Sequence, residues 1–134
     1  MADTAGPTRP GLLDTSVFIA REAGRPLGSL PEAAAVSVVT VAELHLGVLM
    51  ARSSVIRASR LRTLTEVQNA FEPLPIDVEV ARTFAELVAE ARRHGKVPKI
   101  MDTWIAATAV AHDLAVYTQD EDFAAIPKVR VRQV

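Results

Sequence analysis

Short apolar segments that alternate with amphipathic helical segments constrain the fold of this chain more than any other feature. The apolar segments lie at 11–14, 33–39 and 115–118, and the residues between them are apolar at helical spacing. Strands separated by helices predict a parallel sheet covered on both faces. The alternating basic and apolar residues of 128–134 predict an additional strand at the sheet edge. We therefore expect an α/β fold, a three-layer αβα domain with a central, mainly parallel sheet.

Five helical segments are predicted, at 16–22, 40–51, 54–71, 78–93 and 101–114. Thr40 and Glu43 have the spacing of a capping box, which predicts that the second helix begins at Thr40. Asp77 is a suitable N-cap for the fourth helix, and Gly95 follows its last turn.

Length and composition indicate a single domain at 11–134, preceded by a flexible leader at 1–10. The chain has no Cys, which excludes a disulfide scaffold, a thiolate metal site and a Cys nucleophile, and fits a cytoplasmic protein. No apolar run approaches the roughly 18 residues of a membrane span, so we expect no contact with a membrane.

Acidic residues follow the predicted strands or begin the predicted helices. Asp14 ends the first strand, Asp120 and Asp122 follow the strand at 115–118, and Glu43 and Asp102 fall in first helical turns. Ligands of parallel α/β folds bind at the carboxyl ends of the strands. The sequence therefore predicts an acidic groove at this edge of the sheet.

Each acid also has a purely local explanation. Asp14 suits a helix N-cap, Glu43 a capping box, Asp102 the positive end of a helix dipole, and Asp120 and Asp122 a turn. If the acids meet in one groove, however, their repulsion must be compensated, because two carboxylates ~4 Å apart repel by ~4 kcal/mol at an effective dielectric of 20. Several such pairs require protonation or a divalent cation, and oxygen donors alone favour Mg²⁺ or Mn²⁺.

The segments "LLDTSVFIA", "TVAELHLGVL" and "MDTWIAATAVAHDLAVYTQDEDF" carry a family resemblance. In this order they resemble the PIN-domain endoribonucleases, in particular the VapC-type toxins of type II toxin–antitoxin pairs. The resemblance extends from residue 11 to about residue 126. It departs from the family pattern in the ten residues before the first strand, where such toxins often begin almost at the strand.

The resemblance implies a PIN-like fold and an Mg²⁺-dependent ribonuclease in which Mn²⁺ can replace Mg²⁺. The family's four acids match Asp14, Glu43, Asp102 and Asp120, with Asp122 as an additional metal ligand; Thr15 and Ser16 match supporting positions. Metal-activated water would cleave the RNA phosphodiester and leave 5′-phosphate and 3′-hydroxyl ends. The number of metal ions, and the choice between Asp120 and Asp122 as fourth ligand, stay open.

Partners are also implied by the resemblance. A VapB-like antitoxin would lay a helix over the apolar region 40–67, and the apolar helices suggest a homodimer. Basic residues in the acid-free segments 52–62 and 92–99 are candidates for RNA phosphate contacts: Arg52, Arg57, Arg92, Arg93 and Lys99. One Trp, one Tyr and four Phe are few for base stacking, so a structured RNA such as tRNA or rRNA fits better.

Other functions are less consistent with the sequence. A catalytically inactive PIN-fold binding module is the main alternative, because it would keep the fold and the antitoxin contact. A phosphoacceptor receiver domain needs an acid pair at the first strand, and an Asp-nucleophile phosphatase needs Asp–x–Asp there, but "LLDTS" has one acid. The chain has no P-loop, dinucleotide fingerprint or nucleophile elbow.

Overall fold

A four-stranded parallel sheet forms the centre of the protein, whose computed structural model describes residues 10–134. The strands are β1 (Gly11–Leu13), β2 (Ala34–Ala35), β3 (Ala115–Thr118) and β4 (Val131–Gln133). Their order is β2-β1-β3-β4, and every pair is parallel. The predicted parallel sheet is confirmed, with β4 at its edge. The predicted leader falls, apart from Pro10, outside the described residues.

Five helices surround the sheet: α1 (Thr15–Glu22), α2 (Val38–Leu49), α3 (Ser54–Ala70), α4 (Val78–Arg93) and α5 (Ile100–Ala111). A short 3₁₀ turn, Glu121–Ala125, follows β3. The predicted cap of α4 is confirmed, because Asp77 accepts a hydrogen bond from the backbone N–H of Val80 at 2.9 Å. Among residues 10–134, no helix combines the length and the apolar character needed to cross a bilayer.

The two central strands bury side chains on both faces of the sheet. Leu12 and its register partner Val116 pack into one cluster with residues of α4 and α5. Leu13 and its register partner Tyr117 pack into a second cluster with residues of α1, α2 and α3. Since successive side chains of a strand point to opposite faces, the two clusters lie on opposite sides of the sheet. The predicted three-layer αβα arrangement follows.

The start of α2 differs from the prediction. Ser37 is the N-cap, and its hydroxyl accepts a hydrogen bond from the backbone N–H of Val39 at 3.0 Å. The predicted capping box of Thr40 and Glu43 is therefore wrong, and Glu43 lies in the second turn of the helix. The strand predicted at 33–39 shortens because Ser37 already turns the chain into the helix.

Phe123 attaches the acidic turn after β3 to the core. Its side chain is fully buried in the same cluster as Leu12, Ile105 and Val116. Its backbone oxygen also accepts a hydrogen bond from the N–H of Ile126 at 3.0 Å. The backbone that carries the neighbouring carboxylates is thus held by apolar packing.

We expect Phe123→Ala to lower the free energy of unfolding by about 3–5 kcal/mol, because it removes a fully buried ring and leaves a cavity. Urea denaturation followed by circular dichroism measures the change. The control is Val78→Ala, at a side chain that is 73% exposed, and it should change stability by less than about 0.5 kcal/mol. A loss for Phe123→Ala no larger than that of the control would contradict the assignment.

Candidate metal centre

Asp14 and Asp120 lie at the carboxyl ends of two neighbouring strands, β1 and β3. Asp14 caps α1: its Oδ2 accepts from the backbone N–H of Ser16 at 3.3 Å. Asp120 caps the 3₁₀ turn in the same way, with Oδ1 accepting from the N–H of Asp122 at 2.8 Å. Each cap uses one oxygen of its carboxylate, so the local explanation of these acids and a binding role are compatible.

Thr118 links the two acids. Its hydroxyl donates to Oδ2 of Asp14 at 2.9 Å and accepts from the backbone N–H of Asp120 at 2.8 Å. The hydroxyl of Ser16 lies 3.1 Å from that of Thr118. Thr118 is fully buried, and no role for it was predicted from the sequence. The sequence pattern that could have identified Thr118 is a polar residue at the end of a buried strand, two residues before an acid.

Asp102 lies in the first turn of α5 and is only 8% exposed. Its Oδ2 is the one buried side-chain oxygen or nitrogen in residues 10–134 that has no hydrogen-bond partner. Burial raises the pKa of this carboxyl to about 7, and repulsion from Asp14, Asp120 and Glu43 adds to the shift. The structure therefore brings the other three predicted acids within electrostatic reach of Asp102.

Glu43 is held by the first residue of α1. The hydroxyl of Thr15 donates to its Oε1 at 2.5 Å, and the hydroxyl of Thr40 lies 3.0 Å from that of Thr15. Burial raises the pKa of Glu43, repulsion from Asp14 raises it further, and the Thr15 hydrogen bond opposes both. Thr40, predicted as a cap, instead supports the residue that positions Glu43.

Three carboxylates can each place one oxygen within 4.8 Å of the other two: Asp102, Asp120 and Asp122. All their donors are oxygens, which suit hard divalent cations. The unpartnered Oδ2 of Asp102 is a buried acceptor that such a cation would satisfy. The residues therefore fit a divalent metal ion on the chemistry of the donors and on the one unsatisfied oxygen.

Lys99 reaches the same group from the N-terminus of α5. Its Nζ lies 2.5 Å from Oδ2 of Asp122. The hydrogen bond and the charge of Asp122 raise the pKa of Lys99, with smaller contributions from Asp120 and Asp102. Among the groups that shift the pKa of Asp102, Lys99 alone is positive.

The other residues predicted to bind RNA lie apart from this group. Arg52, Arg57 and Arg92 are exposed, and Arg93 forms an ion pair with Glu90 at 3.0 Å. Within residues 10–134, the structure shows no hydrogen bond or ion pair from these arginines to the clustered acids. Of the five candidates, only Lys99 is brought to the carboxylates.

Arg25 is a basic residue at the site that was not predicted from the sequence. It lines a groove with Ser16, Gln119, Asp120 and other residues of the acidic turn. Its Nε donates to the side-chain oxygen of Gln119 at 3.4 Å. Arg25 is isolated in a loop rich in Gly and Pro, so no basic run marked it in the sequence.

Comparison with known sequences gives a consistent family. The PIN domain family matches residues 11–129. Ribonuclease VapC5 of Mycobacterium tuberculosis is 49% identical over 118 residues, 87% of this chain and 87% of that protein. Ribonuclease VapC4 of the same species is 49% identical over 125 residues, 92% of this chain and 95% of that protein.

The fold agrees with these sequence matches. The crystal structure of VapBC-5 from Mycobacterium tuberculosis, a member of the VapBC family of toxin–antitoxin systems, superposes with a TM-score of 0.79. The aligned residues are 44% identical and cover 93% of this chain and 97% of that chain. The chain therefore belongs to the PIN domain family and, within it, to the VapC ribonucleases.

Proposed function

We propose that this protein is an Mg²⁺-dependent endoribonuclease, the toxin of a toxin–antitoxin pair, with Mn²⁺ as an alternative ion. The observation that carries the proposal is the buried, unpartnered Oδ2 of Asp102 beside three further carboxylates. Buried carboxylates at this spacing are costly unless a cation compensates them. The ribonuclease names of the relatives support RNA as the substrate.

The proposed metal ligands are Asp14, Asp102 and Asp120, with Glu43 and Asp122 as further candidates. Of these, Asp102, Asp120 and Asp122 have oxygens within 4.8 Å of one another. A bound divalent ion supplies charge for the phosphate and lowers the pKa of water at neutral pH. Asp102 contributes the unsatisfied oxygen, while Thr118 fixes the relative positions of Asp14 and Asp120. Ser16 supports Asp14 through its backbone N–H and Thr118 through its hydroxyl.

Glu43 is the proposed proton acceptor for the attacking water. Its pKa is raised above the usual value by burial, which makes it a better base than a solvated carboxylate. Thr15 orients it by a hydrogen bond to Oε1. The second oxygen of Glu43 is then available to a water at the edge of the acidic group.

A catalytically inactive binding module is the second candidate. It would keep the fold and the antitoxin contact without selective pressure on the acids. The buried hydroxyl contacts from Thr15 and Thr118 to Glu43 and Asp14 favour the enzyme, because they position carboxylates that a mere scaffold does not need. Mg²⁺-dependent cleavage of total RNA separates the two.

RNA would cross the acidic group between Arg25 on one side and Lys99 on the other. The grooves that contain these two residues share Glu121 and Asp122. Contacts farther along the RNA are assigned to the exposed arginines at 52, 57, 92 and 93. A structured RNA such as tRNA or rRNA could span these separated contacts, and such a substrate implies a cytoplasmic site of action.

A VapB-like antitoxin is the proposed protein partner, supported by the likeness to VapBC-5, which belongs to a family of toxin–antitoxin systems. Large apolar side chains are exposed on α2 and the start of α3, within the predicted region 40–67: Leu46, Leu49, Met50, Val55 and Ile56. Such a row suits the apolar face of a partner helix. A separate exposed apolar group, Val97, Ile100 and Met101, suits the proposed homodimer.

Asp14→Asn should reduce Mg²⁺-dependent RNA cleavage by at least about 100-fold, because it removes a charged ligand while keeping the cap geometry. Cleavage of a labelled RNA at saturating Mg²⁺ measures it. Glu86→Gln, the same kind of change at an exposed residue of α4, is the control and should keep the parent rate. Cleavage by Asp14→Asn at the parent rate would refute the assignment.

Asp102→Asn should stabilise the metal-free protein at pH 8 by about 1–3 kcal/mol, because it removes an uncompensated buried charge. The pKa of Asp102 rises from 3.8 to about 7 on folding, so its favourable contribution is present at low pH and lost as pH rises through about 7. The gain should therefore shrink at pH 5.5. Urea denaturation in EDTA at both pH values measures it.

Saturating Mg²⁺ should make the parent protein more stable than Asp102→Asn at pH 8, since only the parent protein then gains stability from binding the ion. Glu86→Gln, the control, should shift stability by less than about 0.5 kcal/mol under either condition. A metal-free Asp102→Asn protein less stable than the parent at pH 8 would show that the carboxylate is compensated without metal.

Leu49→Asp should weaken binding of the cognate antitoxin by about tenfold or more, because it places a charge in the apolar contact. RNA cleavage by the free protein should stay unchanged. Val78→Asp, at an exposed residue of α4, is the matched control. Isothermal titration with the antitoxin decides the matter, and equal affinities for the two variants would place the antitoxin elsewhere.

A further inference from the structure

Lys99 occupies an unusual position for a lysine, the N-cap of α5. Its side chain makes no cap hydrogen bond, and lysine is not a favoured N-cap residue. Its backbone oxygen accepts from the N–H of Thr103 at 3.0 Å and from the Thr103 hydroxyl at 2.7 Å. The backbone of Lys99 is therefore anchored three residues before Asp102, and the side chain extends to the acids.

The contact with Asp122 is not explained by stability. The Nζ–Oδ2 distance is 2.5 Å, but the side chains of Lys99 and Asp122 are 69% and 48% exposed. Ion pairs this exposed contribute little to folding. The position of this ion pair is more informative than its energy, because Asp122 is one of the three carboxylates whose oxygens lie within 4.8 Å of one another.

The three carboxylates differ in their partners. Among residues 10–134, Asp122 has the ammonium of Lys99 and the Asp120 side chain has only the cap hydrogen bond from a backbone N–H. One oxygen of Asp102 has no partner in the same range. The direct ion pair of Lys99 is therefore made with the most exposed of the three acids. Within residues 10–134, no ion pair engages Asp102 or Asp120, so their oxygens stay available to a ligand.

We propose that Lys99 is a permanent part of this metal centre. Its ammonium holds the carboxylate of Asp122, so that Asp120 and not Asp122 completes the metal ligands. The RNA-free protein then binds one divalent ion. The inference rests on the proposed function. It assigns Lys99 as a positioning residue for the ligands and resolves the choice between Asp120 and Asp122. Removing the ammonium frees the Asp122 carboxylate for a divalent ion, which gives the inference a measurable sign.

Lys99→Met should bind Mn²⁺ about tenfold more tightly than the parent protein, equivalent to about 1.4 kcal/mol. The measurement is isothermal titration of the full chain, free of RNA and antitoxin, with MnCl₂. Electron paramagnetic resonance counts the bound ions, and we expect one per parent chain. An unchanged or weaker affinity for Lys99→Met, or two ions per parent chain at equal affinity, would overturn the inference.

Two matched variants test whether the charge of Lys99 is responsible. Lys99→Arg keeps a cation and should bind Mn²⁺ within about twofold of the parent protein. Lys96→Met removes an exposed lysine that lines the same groove, and it should also leave the affinity unchanged. A tenfold gain in Lys96→Met would show that overall charge is responsible and would overturn the inference.

Asp122→Asn tests whether Lys99 acts through its partner. In that background Lys99→Met should change Mn²⁺ affinity by less than about twofold, because the Asp122 carboxylate that the change would free is already absent. A full tenfold effect there would overturn the inference.

Asp14→Asn separates the inference from the proposed function. If the parent binds Mn²⁺ and Asp14→Asn does not, the metal site of the proposed function stands. An Mn²⁺ affinity of Lys99→Met equal to that of the parent would then overturn only the inference about Lys99. If the parent binds no Mn²⁺, both are overturned.

Discussion

The mutual repulsion of carboxylates at one edge of the sheet is the constraint on which the rest of the site depends. Adjacent parallel strands bring Asp14 and Asp120 to the same edge of the sheet, and α2 and α5 add Glu43 and Asp102. The free energy of unfolding of a domain is only ~5–15 kcal/mol, and an uncompensated group of carboxylates would remove a large part of it. The raised pKa of Asp102 and its unpartnered oxygen are the direct expression of that cost.

Buried hydroxyls, more than opposite charges, hold the acids in place. Thr118 connects Asp14 with the backbone of Asp120, and Thr15 connects Thr40 with Glu43. A hydroxyl can orient a carboxylate without neutralising it, so the negative charge stays available to a cation. Lys99 is the exception, and its ammonium forms an ion pair with Asp122, the most exposed of the three clustered acids.

Elements with a strong periodic or capping signal were predicted correctly, and boundaries decided by packing were not. The parallel sheet, the edge strand and the cap of α4 at Asp77 are confirmed. The start of α2 was wrong because Ser37 and Thr40 are both good caps, and the contact of Thr40 with Thr15, 25 residues away, is invisible in the local sequence. The same limitation hid Thr118 and Arg25.

The sequence by itself determined the αβα fold and the placement of acids after strands and in the first part of helices, because side-chain period and the alternation of strands with helices dictate both. Only the tertiary structure decided which groups each acid meets: Thr118 between Asp14 and Asp120, Thr15 on Glu43, Lys99 on Asp122 and no partner for one oxygen of Asp102. These contacts join residues as far apart as 104 positions. Distances of that kind are set by how the layers pack, and local residue patterns do not contain them.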